Sequence, residues 1–456
     1  MQNLLTSRVS SLSTCRGLWN LCRIGKAVPK SVRLAPRGSR FNSVVASDVT
    51  KVEKIILDNI KATGPLSYAT YMQLCLGHPT HGYYMNPQHP VFGTTGDFIT
   101  SPEISQVFGE LIGIWFVSQW AAAGKPPSVR LVELGPGRGT LMADILRTIS
   151  KFGLGKSLTG VHLVENSEAL RTVQEQKLQA SPYHDPPKLH WYNHIAEIPR
   201  NPSEYTILVA HEFFDALPIH VLQKQETGWH EVLIASTETE SPEPNNENTE
   251  VTKSTARLRR VLSPKPTATS RLLGHSSIRF DNLPVGSTIE VSPTSFRIAH
   301  QVGQLLASQE PSSELDAPSE SPKESERGVG GCGLIIDYGA AQVFGDSFRA
   351  FKEHRMVDPF HLPGECDLTA NVDFAYLQEA MSGLVETHGP ISQGDFLERM
   401  GLEFRVKALI GAAQSEERRG RLVDRSGMGN EYQVFGITSK QEKTAEDVYP
   451  FVQASS

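Results

Sequence analysis

The chain has 456 residues, 39% of them hydrophobic and 21% charged, with a formal net charge of −6. That acidic balance argues against nucleic acid as the main partner, and no uncharged apolar run reaches the roughly 18 residues of a membrane span. The five cysteines, Cys15, Cys22, Cys75, Cys332 and Cys366, include no C-x-x-C pair, which excludes a disulfide framework and a zinc site.

The charge is unevenly spread. No acidic residue precedes Asp48, whereas Arg8, Arg16, Arg23, Lys26, Lys30, Arg33, Arg37 and Arg40 are all basic. An Arg- and Ser-rich, acid-free start without a compact apolar core reads as a mitochondrial transit peptide over residues 1–45; the alternative is a disordered basic arm. Without those eight charges the chain carries −14.

Residues 48–63 repeat Val52, Ile55, Ile56 and Ile60 at helical spacing, and Gly64-Pro65 closes the helix. A second helix is expected over 67–76. The Gly- and Pro-rich run "HGYYMNPQHPVFGTTGDFIT" reads as a loop. Ser101-Pro102-Glu103 then predicts a helix to about Ala123, with Ser101 as its cap. We assign 48–128 to an N-terminal helical extension facing the substrate and 129–438 to the main domain.

From Val129 onward strands and helices alternate. Strands are expected at 129–134, 161–165, 189–192, 206–210 and 333–338, and helices at 139–151, 167–179 and 293–308. Apolar strands alternating with helices imply a doubly wound α/β domain with a parallel sheet. Residues 236–255 and 308–328 are Ser-, Glu- and Pro-rich and read as disordered insertions. An extended segment at 348–357, helices at 371–383 and 392–400, and a strand at 431–438 follow. The "DLTANVDF" stretch makes Asn371 the expected cap of the first of these helices, with Asp373 in its first turn. Residues 439–456 form a tail.

"LVELGPGRGTL" places Glu133 at a strand end, followed by Gly135, Pro136, Gly137 and Gly139 at the opening of a helix. A dinucleotide fingerprint requires a third glycine where Thr140 stands. Glu133 would repel a pyrophosphate but suits a cation, so the loop points to S-adenosylmethionine. Glu165, ending the next strand, can accept ribose hydroxyls. His78/His81 and His190/His194 lack completing ligands, so no metal is expected.

The stretches "GDFITSPEISQVFGELIGIWF", "LVELGPGRGTL", "VHLVENSEALRTVQ", "LVAHEFFDALPIH", "LIIDYG" and "DPFHLPGECDLTANVDF" resemble the MidA family of class I methyltransferases, especially its mitochondrial branch of protein arginine methyltransferases. The resemblance implies a Rossmann-like, seven-stranded methyltransferase sheet. It also implies S-adenosyl-L-methionine as cofactor, and symmetric dimethylation of an arginine in a core subunit of respiratory complex I during assembly, in the mitochondrial matrix. The two acidic insertions, and Asn193-His194 where an acid often follows strand three, depart from the family pattern.

In such sheets the ligand lies beyond the carboxyl ends of the strands, so "TILVA" delivers "HEFFDALP" to the reaction site. Guanidinium stays charged, and a carboxylate can hold its planar fork. Glu212 is expected in that role, with Asp215 joining it if the segment turns helically; Asp215 could equally be a turn or cap residue. The alternative role for Glu212 is binding the cofactor ammonium. Thr100 and Ser101 are candidate donors to the cofactor at a helix start. His211, Asp367 and Thr369 are candidates for the substrate mouth. Rival readings are a non-catalytic assembly chaperone that keeps the cofactor site, or a small-molecule methyltransferase.

Overall fold

The computed structural model describes residues 49–86, 100–180, 187–237, 257–308, 328–409, 422–424, 428–440 and 448–452. The expected transit peptide lies outside the described residues, as does nearly all of both expected insertions.

Helix α1 (Lys51–Thr63) begins at Thr50, whose side chain accepts from Glu53 N–H, and ends at Gly64 with φ +88°. Its apolar stripe of Val52, Ile56 and Ile60 is buried. Strand β1 (Leu66–Ser67) leads into α2 (Tyr68–Gly77), capped by the Ser67 side chain. The single helix expected from Ser101 is two helices, α3 (Ser101–Ile104) and α4 (Gln106–Ala122). Ser105 separates them with an extended backbone, and its hydroxyl accepts from Val107 N–H at 3.3 Å. The residue at the cap position of α3 is Thr100, not Ser101.

The alternating region contains β2 (Val129–Leu134), α5 (Thr140–Ile149), α6 (Leu154–Ser157), β3 (Leu158–Val164), α7 (Glu168–Gln179), β4 (Leu189–Tyr192) and β5 (Tyr205–His211). Next come β6 (His220–Gln225), β7 (Gly228–Ser236), β8 (Leu258–Leu262), α8 (Ala268–Gly274), α9 (Ile278–Asp281), β9 (Thr288–Val291) and α10 (Pro293–Leu306). The chain continues with β10 (Gly331–Ala340), β11 (Arg349–Lys352), β12 (Arg355–Val357), β13 (Asp367–Thr369) and β14 (Val372–Asp373). Last are α11 (Phe374–Met381), β15 (Val385–Ser392), α12 (Gln393–Arg399), α13 (Leu402–Leu409), α14 (Met428–Glu431) and β16 (Tyr432–Ser439). The cap of α11 is Asp373, whose side chain accepts from Tyr376 N–H; Asn371 instead accepts from Arg349 Nη1 at 2.6 Å.

The main sheet runs β15-β16-β10-β5-β2-β3-β4. From β10 to β4 the neighbours are parallel, and β16 is antiparallel to both β10 and β15. The parallel sheet expected from the alternation thus carries one reversed strand, because the helices after β15 return the chain to the end of the sheet it has just reached. Every residue of β2 and β5 is buried, as a sheet covered on both faces requires. One core packs β2, β3 and β5 under α4 and α5 with Trp115, Phe108 and Ile145; the other packs the opposite face under α10 and α11.

A second, antiparallel sheet, β1-β7-β6-β9 with β8 beside β7, lies outside the elements expected from sequence. It joins the N-terminal helices to the middle of the chain: Leu66 pairs with Ile234, and Tyr68, Tyr71 and Met72 share a core with Ile219, Val221 and Ile234. The two interrupted stretches close at their bases. Thr237 N–H donates to Arg257 O at 2.9 Å, and Gly328 N–H donates to Ser308 O at 2.8 Å.

Candidate functional site

The carboxyl ends of β2, β3 and β5 open onto a cavity of about 940 Å³. Of the residues singled out from sequence, Thr100, Glu133, Gly135, Pro136, Gly137, Glu165, His211, Glu212, Asp215 and Asp367 all line it.

Part of its wall is the glycine loop. Gly135, Gly137 and Gly139 have φ of 65°, 51° and 76°, a region that glycine enters without steric cost. A Cβ on Gly135 would sit 2.8 Å from Phe213 Cδ2, so the loop and the turn after β5 approach as closely as a bare backbone allows. Gly139 is the N-cap of α5 and does not itself line the cavity. Glu133 is 2% exposed, its Oε2 has no hydrogen-bond partner, and burial pushes its carboxyl up to about 8. A buried acceptor of this kind is costly unless a donor or cation meets it.

Glu165 is held firmly. Its Oε1 accepts from Ser167 N–H at 2.8 Å and its Oε2 from Gln174 Nε2 at 3.2 Å; burial raises its pKa despite those donors. The same Gln174 amide donates to Gly137 O at 2.8 Å, and Gln174 Oε1 accepts from Trp191 Nε1 at 2.9 Å. Gln174 therefore ties the glycine loop to the acid after β3. The donor set fits S-adenosylmethionine: Glu133 for a positively charged amino-acid end, Glu165 for ribose hydroxyls, and unhindered backbone at Gly135 and Gly137.

Beyond the turn that packs on Gly135, the cavity wall is acidic. Glu212 has φ +50°, an uncommon conformation for a side-chain-bearing residue. Its Oε1 accepts a short hydrogen bond from Tyr432 OH. Burial pushes the Glu212 carboxyl up to about 8, partly offset by that hydrogen bond. Asp215 is pushed well above the carboxylate range by burial and then by Asp337 and Asp367. The segment between Glu212 and Asp215 is not helical. A turn brings them together, and Asp337 Oδ2 accepts from the N–H groups of Phe213, Phe214 and Asp215 at 3.1, 2.9 and 3.3 Å. Asp367 Oδ1 accepts from Tyr84 OH at 2.7 Å. His211 Nε2 lies 3.9 Å from Glu212 Oε1, and burial lowers the imidazole to about 3, so the ring is neutral.

Three expected residues stand apart. Ser101 is fully buried, donates to Gln393 Oε1 at 3.1 Å and does not line the cavity, because α3 turns that side chain toward α12. Thr369, 3% exposed on β13, is likewise absent from the lining, as is Gly139. Sequence reasoning missed Gln174, Asp337 and Tyr432. Asp337 was within reach, since it lies near the carboxyl end of a parallel strand as Glu133 does. Tyr432 was not, because its place depends on the register of β16 against β10. Among the described residues no group of three or more His, Cys, Asp or Glu is arranged to hold a metal ion, and no helix is long and apolar enough to cross a membrane.

A family profile described as S-adenosyl-L-methionine-dependent methyltransferase matches residues 111–391. The chain is similar to the Homo sapiens protein arginine methyltransferase NDUFAF7, mitochondrial: 34% identity over 425 residues, covering 89% of this chain and 86% of the relative. It is 37% identical over 417 residues to the Drosophila melanogaster homologue of that name, covering 86% of each. A Burkholderia thailandensis protein crystallised with S-adenosyl-homocysteine shares the fold, with a TM-score of 0.67 and 23% identity over 89% of this chain and 95% of that one.

Proposed function

The chain belongs to the S-adenosyl-L-methionine-dependent methyltransferase family, and from that premise we propose that it methylates arginine in a mitochondrial protein substrate. The acceptor we propose is an arginine of a core subunit of respiratory complex I, symmetrically dimethylated in the matrix as the subunit is assembled. The arginine-methyltransferase names of the similar proteins support the acceptor type. The subunit and the symmetric product rest on the resemblance to the mitochondrial branch of the family.

The observation that carries this reading is the group of carboxyls, buried Asp215 and Asp367 with partly buried Glu212, on the wall of the cavity that Glu133 and Glu165 also line. Burial and repulsion from neighbouring carboxyls disfavour the ionised forms of Glu212 and Asp215, and a guanidinium beside them would relieve both costs. Arginine also presents five donors in a rigid fork, the complement of clustered carboxylate oxygens. A lysine ammonium would leave more of these oxygens unmatched.

The cofactor supplies an electrophilic methyl group. In this reading Glu133, Gly135, Pro136, Gly137 and Glu165 hold it, with Thr100 at the rim. Glu212 and Asp215 hold the guanidinium and keep its positive charge away from the attacking nitrogen, and His211 and Asp367 border it. Positioning and exclusion of water then account for most of the rate. Mass spectrometry of complex I subunits from cells with and without this protein tests the proposal. Loss of a dimethylated arginine is expected; an unchanged arginine methylation pattern would overturn the acceptor assignment.

A further inference from the structure

Transfer to guanidinium releases a proton. One N–H bond of the guanidinium breaks as the N–C bond forms, the C–S bond breaks with its electron pair staying on sulfur, and the product remains a guanidinium cation. The released proton must leave a cavity that cofactor and substrate would both fill.

We infer that Glu212 takes this proton and that Tyr432 and Tyr338 conduct it out through the back of the site, away from the cavity. The inference rests on the reading of Glu212 as the carboxylate that holds the guanidinium. Tyr432 OH meets Glu212 Oε1 in a short contact and Tyr338 OH at 2.7 Å, so three exchangeable positions stand in line. Neither tyrosine lines the cavity. Tyr432 is 1% exposed, while Glu212, which lines the cavity, and Tyr338, which does not, are both partly exposed, so the line joins the cavity to a second accessible point.

The sheet holds this geometry. Tyr338 and Tyr432 are register partners on β10 and β16, and their ring centroids are 4.0 Å apart. Arg349 lies over the Tyr338 ring at 5.2 Å, and the His211 ring stacks on Tyr432 at 6.0 Å. A hydroxyl carries a single proton and can accept as it donates. When Glu212 gains a proton, Tyr432 accepts it while passing its own to Tyr338, Tyr338 releases its own to solvent water, and the hydroxyls reorient on recovery.

Other titratable groups face Glu212. His211 is its chain neighbour, Asp215 follows in the turn, Asp367 comes from β13 and Glu103 from α3. Asp337 and Tyr338 face it from β10. His211 is held neutral by burial, and the phenol pair is the hydrogen-bonded line that meets the Glu212 carboxylate itself. Tyr432 is thus a positioning and relay residue acting through Glu212.

The test uses the full chain with Y432F, Y338F and E212Q, and reads three quantities. These are S-adenosylhomocysteine affinity by calorimetry, the Glu212 carboxyl band by infrared difference spectroscopy against E212Q, and single-turnover transfer to an arginine-containing subunit in H2O and D2O. Y432F should keep cofactor affinity within about twofold and lose transfer by a factor on the order of tens to hundreds. Its carboxyl band should titrate at higher pH, because the carboxylate has lost its donor, and the acid limb of the rate profile should move up with it. Y338F should leave the carboxyl band nearly in place yet slow transfer and raise the solvent isotope effect. If E212Q transfers at the wild-type rate, the reading of Glu212 falls and the relay with it. If E212Q is inactive while folded Y432F and Y338F both transfer normally across the pH range, the relay alone is overturned.

Discussion

Asp337 supports the conformation of Glu212 without touching its carboxylate: one oxygen of Asp337 caps the three backbone N–H groups that follow Glu212, at 2.9 to 3.3 Å. Glu212 itself sits at φ +50°. A side-chain-bearing residue in that region costs on the order of 1–3 kcal/mol and persists where its surroundings over-determine it. The strand end, the cap from β10 and the hydroxyl from β16 provide that determination.

Glu212→Gln keeps the shape of the side chain but removes the charge proposed to pair with guanidinium. The variant should fold and bind S-adenosylmethionine normally while transfer falls by several orders of magnitude, a loss on the order of 3–5 kcal/mol. Calorimetry and a methyl-transfer assay separate the outcomes: a parallel fall in cofactor affinity would reassign Glu212 to the cofactor. If complex I assembles normally in cells carrying this inactive variant, methylation is not the essential task, and the chaperone reading holds.

Stability and affinity should respond oppositely to pH. Glu133 and Glu212 have carboxyls raised to about 8 by burial. Below that pH the native protein holds protons that the unfolded chain has released above its ordinary carboxylate range, so stability falls as pH rises from about 5 through 8. Cationic S-adenosylmethionine prefers the ionised cavity, so its affinity should rise over the same window. Melting temperatures measured with and without cofactor across that range check both signs, and Glu133→Gln should flatten each dependence.

The glycines of the loop should not be equivalent. Gly135→Ala places a Cβ at 2.8 Å from the Phe213 ring as well as forcing φ +65°, and should abolish cofactor binding. Gly139→Ala would meet Gln174 at ordinary distances of 3.5 Å or more, leaving the cost of its φ +76°, about 1–2 kcal/mol. It should fold with a lowered melting temperature and still bind S-adenosylhomocysteine. Equal effects at the two positions in a calorimetric titration would count against this account.

Removing residues 238–252 or 310–326 should shift the melting temperature by less than about 3 °C and leave cofactor affinity unchanged. The flanking residues are already joined, by the Thr237–Arg257 and Gly328–Ser308 hydrogen bonds, and closing a shorter loop over a formed base changes the entropy only slightly. A large drop in either quantity would show that these stretches contribute to the core.

Residues 1–45 fused to a fluorescent reporter should direct it to mitochondria, and replacing the eight basic residues by Gln should leave it cytosolic. Microscopy and fractionation distinguish the outcomes; a cytosolic parent fusion would return the segment to a basic arm.

The buried parallel strands were legible because a sheet covered on both faces leaves short apolar runs such as "VRLVEL" and "TILVAH" between helices. The glycine loop was legible for a local reason: strand, turn and helix start lie within a dozen residues. The antiparallel sheet was not. In "HVLQKQ" and "GWHEVLIAS" polar residues interrupt the apolar pattern, and β8 is separated from its partner by the long stretch after Thr237. Glu212 and Asp215 were readable as strand-end acids. Ser101 was misread because its proline-and-acid context signals a helix start but not which way the hydroxyl points, and here it points to Gln393, 292 residues away.

That last distance has a counterpart in how the molecule is made. Thr50 donates to Pro363 O across 313 residues, and the Trp115 indole donates to Tyr449 O across 334. The start of α1 and the middle of α4 therefore each keep a contact that waits for a later part of the chain. Any delivery of this polypeptide N-terminus first, from a ribosome or through a translocation channel, lets the opening helices meet β6 and β7 midway but leaves these last contacts of α1 and α4 unmade until Pro363 and Tyr449 have emerged. Contacts of such separation slow folding and leave apolar surface exposed meanwhile. Truncating the last ten residues should therefore affect the soluble yield of newly made protein well before it affects the chemistry of the cavity.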